Sequence, residues 1–368
     1  MNGGSLTAED ADGQVDSLAF PDLASRALRG SVVAASDEFF AEKENLIKPG
    51  RADFSPATFG HKGQVYDGWE TRRRRGRHGS LPPADEHDWV IVRLGAPGLV
   101  HAVVVDTAYF TGNFPQTCAV EACYVDGYPP ASSLEAARWT EIVPRSELKG
   151  DTPHVFDVSA GQRFSHVRLK IYPDGGVARL RVHGTVVPDP ALLDGLTFDL
   201  AALENGGDIR ACSDRFYSAP RNAISPGLSR VMGEGWETRR RRAEGNEWLV
   251  VGFAAPAVVS LVEIDTSGYL GNAPGLAELR GGLEGGRPEG GGVEGGRPEG
   301  GLAWAPLVPR TPLLPDTPHR FRIPPSASCD AVRLDVFPDG GVARLRLYGS
   351  LTPEGLSQVY RRWAETAG

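Results

Sequence analysis

PDGGVARLRVHG at Pro173–Gly184 returns as PDGGVARLRLYG at Pro338–Gly349, changed only where Val182 and His183 become Leu347 and Tyr348. Outward from this pair, the chain repeats itself in order. DGWETRRRR (Asp67–Arg75) answers to EGWETRRRR (Glu234–Arg242), SDEFF (Ser36–Phe40) to SDRFY (Ser213–Tyr217), and DTAYFTGNFP (Asp106–Pro115) to DTSGYLGNAP (Asp265–Pro274). VPR and DTPH recur at Val143 and Asp151, then at Val308 and Asp316. A repeat this long is a whole domain, because solenoid units run to about 20–50 residues. The 368 residues then suit two domains of roughly 150 residues, each able to bury its own core.

Within the opening stretch, Val177, Arg179, Arg181 and His183 alternate with Ala178, Leu180 and Val182, the period-2 pattern of a strand with one apolar face. Further short β-branched runs read as strands: Trp89–Leu94, His101–Thr107, Cys118–Val125 and His166–Tyr172, with counterparts in the second copy. PDGG is expected to close a hairpin, since consecutive small residues supply positive φ. Short strands at regular spacing with few helical stretches predict an all-β fold of two tandem antiparallel β-sandwich domains. The expected boundaries are a disordered leader over 1–19, a first repeat over 20–188, a linker over 189–205, a second repeat over 206–352, and a C-terminal helix and tail over 353–368. A short helix is expected near Leu23–Leu28. GGLEGGRPEG at Gly281–Gly290 is followed by GGVEGGRPEG, and this insertion over 281–301 is too poor in apolar residues to order itself.

Composition excludes several functions. The net charge of −8 gives no general attraction to nucleic acid or anionic membrane. Only five of the 39 basic residues are lysine, so arginine is the default cation here. Cys118, Cys123, Cys212 and Cys329 fall at non-equivalent positions in the two copies, which predicts reduced thiols and a cytoplasmic location. No HxH, HExxH or CxxC spacing appears. A divalent metal held by scattered histidines and carboxylates is left open, and no cofactor is read. Homo-oligomerisation is left open too.

The repeated motifs carry the candidate chemistry. On a strand, Arg72 and Arg74 would face one way and Arg73 and Arg75 the other, so one pair could fork onto a carboxylate. An Arg-rich solvated face anchored by Trp69 explains the run equally well. Asp106 ends an apolar strand beside the Gly112-Asn113 turn, a usual place for ligand recognition. A turn cap is the competing role for Asp106, and Asn113 also suits a tight turn. Asp174 reads as turn chemistry, whereas no turn requires Arg179.

Taken together, SDEFF, ENLI, DGWETRRRR, HDWVIVRLG, DTAYFTGNFP, VPR and YPDGGVARLRVHG resemble the allantoicase family, from about Phe20 to Leu351 and across both copies. The resemblance implies two jelly-roll domains of the galactose-binding-like type, and hydrolysis of allantoate to ureidoglycolate and urea in purine degradation. Given that substrate, Arg72, Arg74 or Arg179 would hold its carboxylate, Asn113 and Glu70 would read the ureido groups, and Asp67 or Asp106 would serve as acid or base. The competing reading is a noncatalytic small-molecule or carbohydrate-binding jelly roll. The second copy departs at Glu234 for Asp67, Glu247 for Asp88, Gly268 for Tyr109 and Ala273 for Phe114. The chemistry is therefore expected in the first copy, with the second as partner and scaffold.

Overall fold

The long strand Asp88–Asp106 organises the first copy. Its first half pairs on one side with Ser31–Ala35 and on the other with Arg163–Tyr172. The layer continues from Arg163–Tyr172 to Thr117–Cys123 and Thr140–Glu147. Its second half leaves that layer and pairs with Arg179–Val186 and Pro153–Asp157. The register breaks between Arg93 and Gly98, where Pro97 has no N–H to give to a ladder. Gly95 is needed at the corner, because a Cβ there would meet the Leu28 carbonyl oxygen at 1.8 Å. One strand thus serves both layers of an antiparallel sandwich. Val90, Val92, Val103, Val105, Val167, Leu169, Leu180 and Val182 fill the core with no exposure.

The computed structural model describes residues 16–284, 302–324 and 327–368. They form two compact units, one built on Asp16–Val187 and one on Pro188–Glu365. In the second unit Glu247–Asp265 plays the same part. Its first half pairs with Asp208–Cys212 and Cys329–Phe337, and its second half with Arg344–Leu351 and Pro318–Arg322. The break falls between Gly252 and Ala257, around Pro256.

Several expectations change. Trp89–Leu94 and His101–Thr107 are two halves of one strand, because the Gly-Ala-Pro corner bends the ladder without ending it. PDGG does not close a hairpin. The strands on either side of it, Arg163–Tyr172 and Arg179–Val186, both pair with Asp88–Asp106 and belong to different layers. Part of the expected linker belongs to the second sandwich. Phe198–Asp199 pairs with Arg344–Leu351, and Asp199 accepts from Leu347 N at 2.9 Å, as Asp22 does from Val182 N. Ser17–Ala19, at the end of the expected leader, forms a 3-10 turn capped by Asp16. Near Leu23–Leu28 the helical residues are the 3-10 turn Arg26–Leu28. Residues 281–284 of the expected insertion extend the strand Leu276–Glu284, and 285–301 lie outside the described residues, as do 1–15. The C-terminal helix spans Pro353–Glu365.

Candidate active site

Three repeated motifs meet at one end of each sandwich. In the first, the two-residue strand Trp69–Glu70 pairs with Gly176–Val177 of the PDGG connection. Gly176 N donates to Asn113 O at 2.7 Å, which brings in the DTAYFTGNFP loop. Thr71 locks the joint: its N donates to Gly175 O and its hydroxyl accepts from Gly175 N, both at 3.1 Å. Gly175 has φ 141°, and a Cβ there would meet Pro115 N at 2.7 Å and Asn113 O at 2.8 Å, so only glycine fits. The buried Trp69 indole donates to Asp37 O at 2.7 Å, fixing the SDEFF segment against the same joint.

The side chain this joint presents is Glu70. Its Oε1 accepts from Asn113 Nδ2 at 2.8 Å, and the residue is half-buried. Burial raises its carboxyl above the ordinary glutamate value, and this outweighs the Asn113 hydrogen bond and the Arg73 charge, which pull it down. Two residues on, Arg72 is held by Asp37. Its Nε donates to Asp37 Oδ1 at 3.0 Å, and its guanidinium lies over the Phe39 ring at 5.6 Å. The Arg72 side chain remains 67% exposed, so it keeps donors free for an incoming carboxylate. Lys62 Nζ lies over Phe39 at 4.9 Å.

An aromatic column adjoins the loop. Tyr109 stacks on Phe54, Phe54 on Tyr66, and Tyr66 on Phe110, with centroids 4.7–5.2 Å apart. Tyr109 holds φ 67°, with its N–H donated to Asp151 Oδ1 at 2.8 Å. That conformation costs a tyrosine on the order of 1 kcal/mol, the kind of strain that gathers at functional sites.

The remaining sequence candidates lie elsewhere in the bonding network. Arg179 is 2% exposed and makes five hydrogen bonds, to Gly50 O, Arg51 O, Ala178 O, Asp67 O and Asp67 Oδ2. A guanidinium has five N–H groups, so Arg179 has none left for a substrate. Asp67 also accepts from Lys48 Nζ at 2.7 Å and Asp53 N at 3.1 Å. Burial would raise the Asp67 carboxyl, but Arg179 and Lys48 hold it below the ordinary value, which makes it a poor proton donor. Arg74 spends its guanidinium on Glu86 at 2.6 Å and Asp88 at 2.7 Å. Asp106 Oδ1 accepts from Ala108 N at 2.9 Å, an Asx turn. Beyond Trp69–Glu70 the arginine run is irregular, so the strand alternation expected for Arg72–Arg75 is absent.

The sequence reads Asp37 and Phe39 only as part of the repeated SDEFF motif, and Arg73 only as one of the alternating arginines, with no role of their own. The signal was present in the repetition of SDEFF as SDRFY, whose aspartates both brace an arginine (Asp37 with Arg72, Asp214 with Arg239). Among the described residues no three His, Cys, Asp or Glu side chains group as metal ligands.

Fold and site together define a tandem jelly-roll protein with a polar cluster, built on a carboxyl and an amide, at one end of each sandwich. The allantoicase repeat model matches the chain twice, over residues 21–187 and 198–352. The chain is 50% identical over 333 residues to a probable allantoicase of Nocardia farcinica, covering 90% of this chain and 94% of that one. It is 38% identical over 335 residues to an allantoicase of Dictyostelium discoideum, covering 90% and 87%. The crystal structure of allantoicase from Saccharomyces cerevisiae aligns with a TM-score of 0.73 at 32% identity, over 89% of this chain and 92% of that one. The chain belongs to the allantoicase family.

Proposed function

We propose that the chain hydrolyses allantoate to ureidoglycolate and urea, with Glu70 as the proton-transfer group. The activity rests on the double match to the allantoicase repeat across nearly the whole chain. The role of Glu70 rests on its half-buried, raised carboxyl, held by Asn113 where the repeated motifs meet.

Allantoate carries a carboxylate and two ureido groups on one carbon. Arg72, braced by Asp37, takes the carboxylate, with Arg73 and Lys62 adding positive charge nearby. Protonated Glu70 gives its proton to the departing ureido nitrogen as the C–N bond breaks. The remaining ureido nitrogen donates its electron pair to the central carbon, forming a C=N bond. Water then adds to that carbon while the Glu70 carboxylate takes its proton. Urea leaves, ureidoglycolate forms, and Glu70 ends protonated as it began. One carboxyl therefore serves as acid and then as base. Asn113 keeps it oriented through both steps. Asp67 and Arg179, expected in the site, hold the loop over residues 50–53 in place.

Four cysteines are free and buried, among them Cys118, whose thiol burial pushes up to about 12. Unpaired thiols support a reducing, cytoplasmic setting. Among the described residues no helix is long and apolar enough to cross a membrane.

Because the reaction begins from protonated Glu70, kcat should stay level at low pH and fall as pH rises through the raised Glu70 value. Glu70→Gln should lower the contribution of this site to urea release by about 10²–10⁴-fold and remove that basic limb. A Glu70→Gln chain that keeps both the rate and the limb would sink the assignment.

A further inference from the structure

We infer that the second copy carries its own allantoate site, built on Glu237 and Asn272, so that each chain holds two. This rests on the reading of Glu70 above, and it reverses the expectation that the second copy serves only as scaffold.

The bonds that build the first site recur in the second. Trp236–Glu237 pairs with Gly341–Val342. Gly341 N donates to Asn272 O at 2.8 Å, and Asn272 Nδ2 donates to Glu237 Oε1 at 2.6 Å. Gly340 holds φ 139° against Pro274 N and Asn272 O, as Gly175 does against its counterparts. The Trp236 indole donates to Asp214 O at 3.0 Å, and Arg239 Nε donates to Asp214 Oδ2 at 2.6 Å. Arg239 lies over Phe216 at 5.2 Å and keeps a 63% exposed side chain.

The fold does not ask for this pair. Tryptophan, threonine and glycine hold the joint, while a glutamate carboxyl bonded to an asparagine amide contributes nothing to the ladder. The second copy has lost what the fold could spare. Gly268, at φ 83°, stands where Tyr109 is strained. No lysine stands over Phe216 among the described residues, whereas Lys62 stands over Phe39. The Tyr269 hydroxyl, donated to Met232 O at 2.7 Å, enters where Phe110 has none. The second site is thus the same device with one fewer cation and a barer wall. It should turn over allantoate with the higher KM.

The test compares urea release from allantoate by wild-type protein, Glu70→Gln, Glu237→Gln and the double variant, each checked for a normal unfolding transition. Both single variants should stay active, each keeping about half of wild-type kcat per chain. Glu70→Gln should show the higher KM, since only the second site then works. The double variant should lose at least about 100-fold and, by equilibrium dialysis, bind two allantoates per chain. If either single variant matches the double variant, or the double variant binds one allantoate, the second site is overturned and one site stands. A double variant with unchanged rate would instead remove the glutamate reading itself, and the second site with it.

Discussion

On the solvent-side face of the first sandwich, Glu121 bridges Arg168 at its Oε2 and Lys170 at its Oε1. The equivalent positions of the second sandwich carry Arg280, Arg333 and Asp335, with Arg280 and Arg333 both paired to Asp335. Glutamate has become arginine and lysine has become aspartate, and Glu278, standing where the first copy has Ala119, adds a second anion 3.5 Å from Arg280. The sandwich ends behave differently. There Glu70–Asn113 and Glu237–Asn272 keep residue type, partner and geometry. A surface ion pair can be inverted whenever its partner inverts too. In the proposed role, a glutamate–asparagine pair that presents a proton to a ligand has no equivalent inversion.

A second contrast lies just behind the site. Asp67 locks Arg179 and Lys48 together in the first copy. In the second, Glu234 turns outward to Arg230, and Arg344 is left with backbone carbonyls of Gly227, Glu234 and Ala343. The first copy therefore has more to lose. Arg179→Ala should destabilise its sandwich by about 3 kcal/mol, because it strands a half-buried carboxylate and several carbonyls. Arg344→Ala should cost less, and thermal unfolding of the two variants gives the comparison. Equal losses would show that the carboxylate adds nothing.

The same contrast has a pH signature. The folded Asp67 carboxyl is held below its unfolded value. Its stabilisation is therefore present above the unfolded value and is lost as pH falls through the folded one. As pH falls below the ordinary aspartate range, Asp67→Asn should flatten the fall in stability seen in wild-type protein. Glu234→Gln should change that slope little, since its partner Arg230 has an 80% exposed side chain. Denaturant melts across that range would show it, and a steeper Glu234→Gln effect would contradict it.

These contrasts also mark what could be read from the chain. The duplication, the strands and the sandwich were legible because alternation and repeated motifs are local properties. The role of Arg179 was not. Its partners Gly50, Arg51 and Asp67 lie 112–129 residues away, and only the fold brings them to it. From the sequence, Asp106 reads as a candidate acid or base and Glu70 as a reader of the ureido groups. Which one caps a turn and which one is raised by burial depends on neighbours from other strands. The corner at Pro97 read as the gap between two strands because proline and glycine usually end a strand. Here the ladder resumes on the other layer.

Smaller effects sharpen the comparison further. Asp37→Asn should release Arg72 and raise KM about tenfold, a loss of roughly 1.4 kcal/mol, leaving kcat nearly unchanged for the first site. Asp214→Asn should do the same for the second. On the solvent-side face, Glu121→Arg and Lys170→Asp should each cost about 0.5 kcal/mol. Together they should cost less than their sum, because they recreate the arrangement of the second copy. Additive costs would mean that the two inverted positions are independent.

The proposed chemistry stands on the glutamate–asparagine pairs at the sandwich ends. The measurement that bears on it most directly is the rate of urea release from allantoate by folded Glu70→Gln/Glu237→Gln protein. The rate should fall at least about 100-fold, with the unfolding transition unchanged. A rate within twofold of wild type would contradict the account.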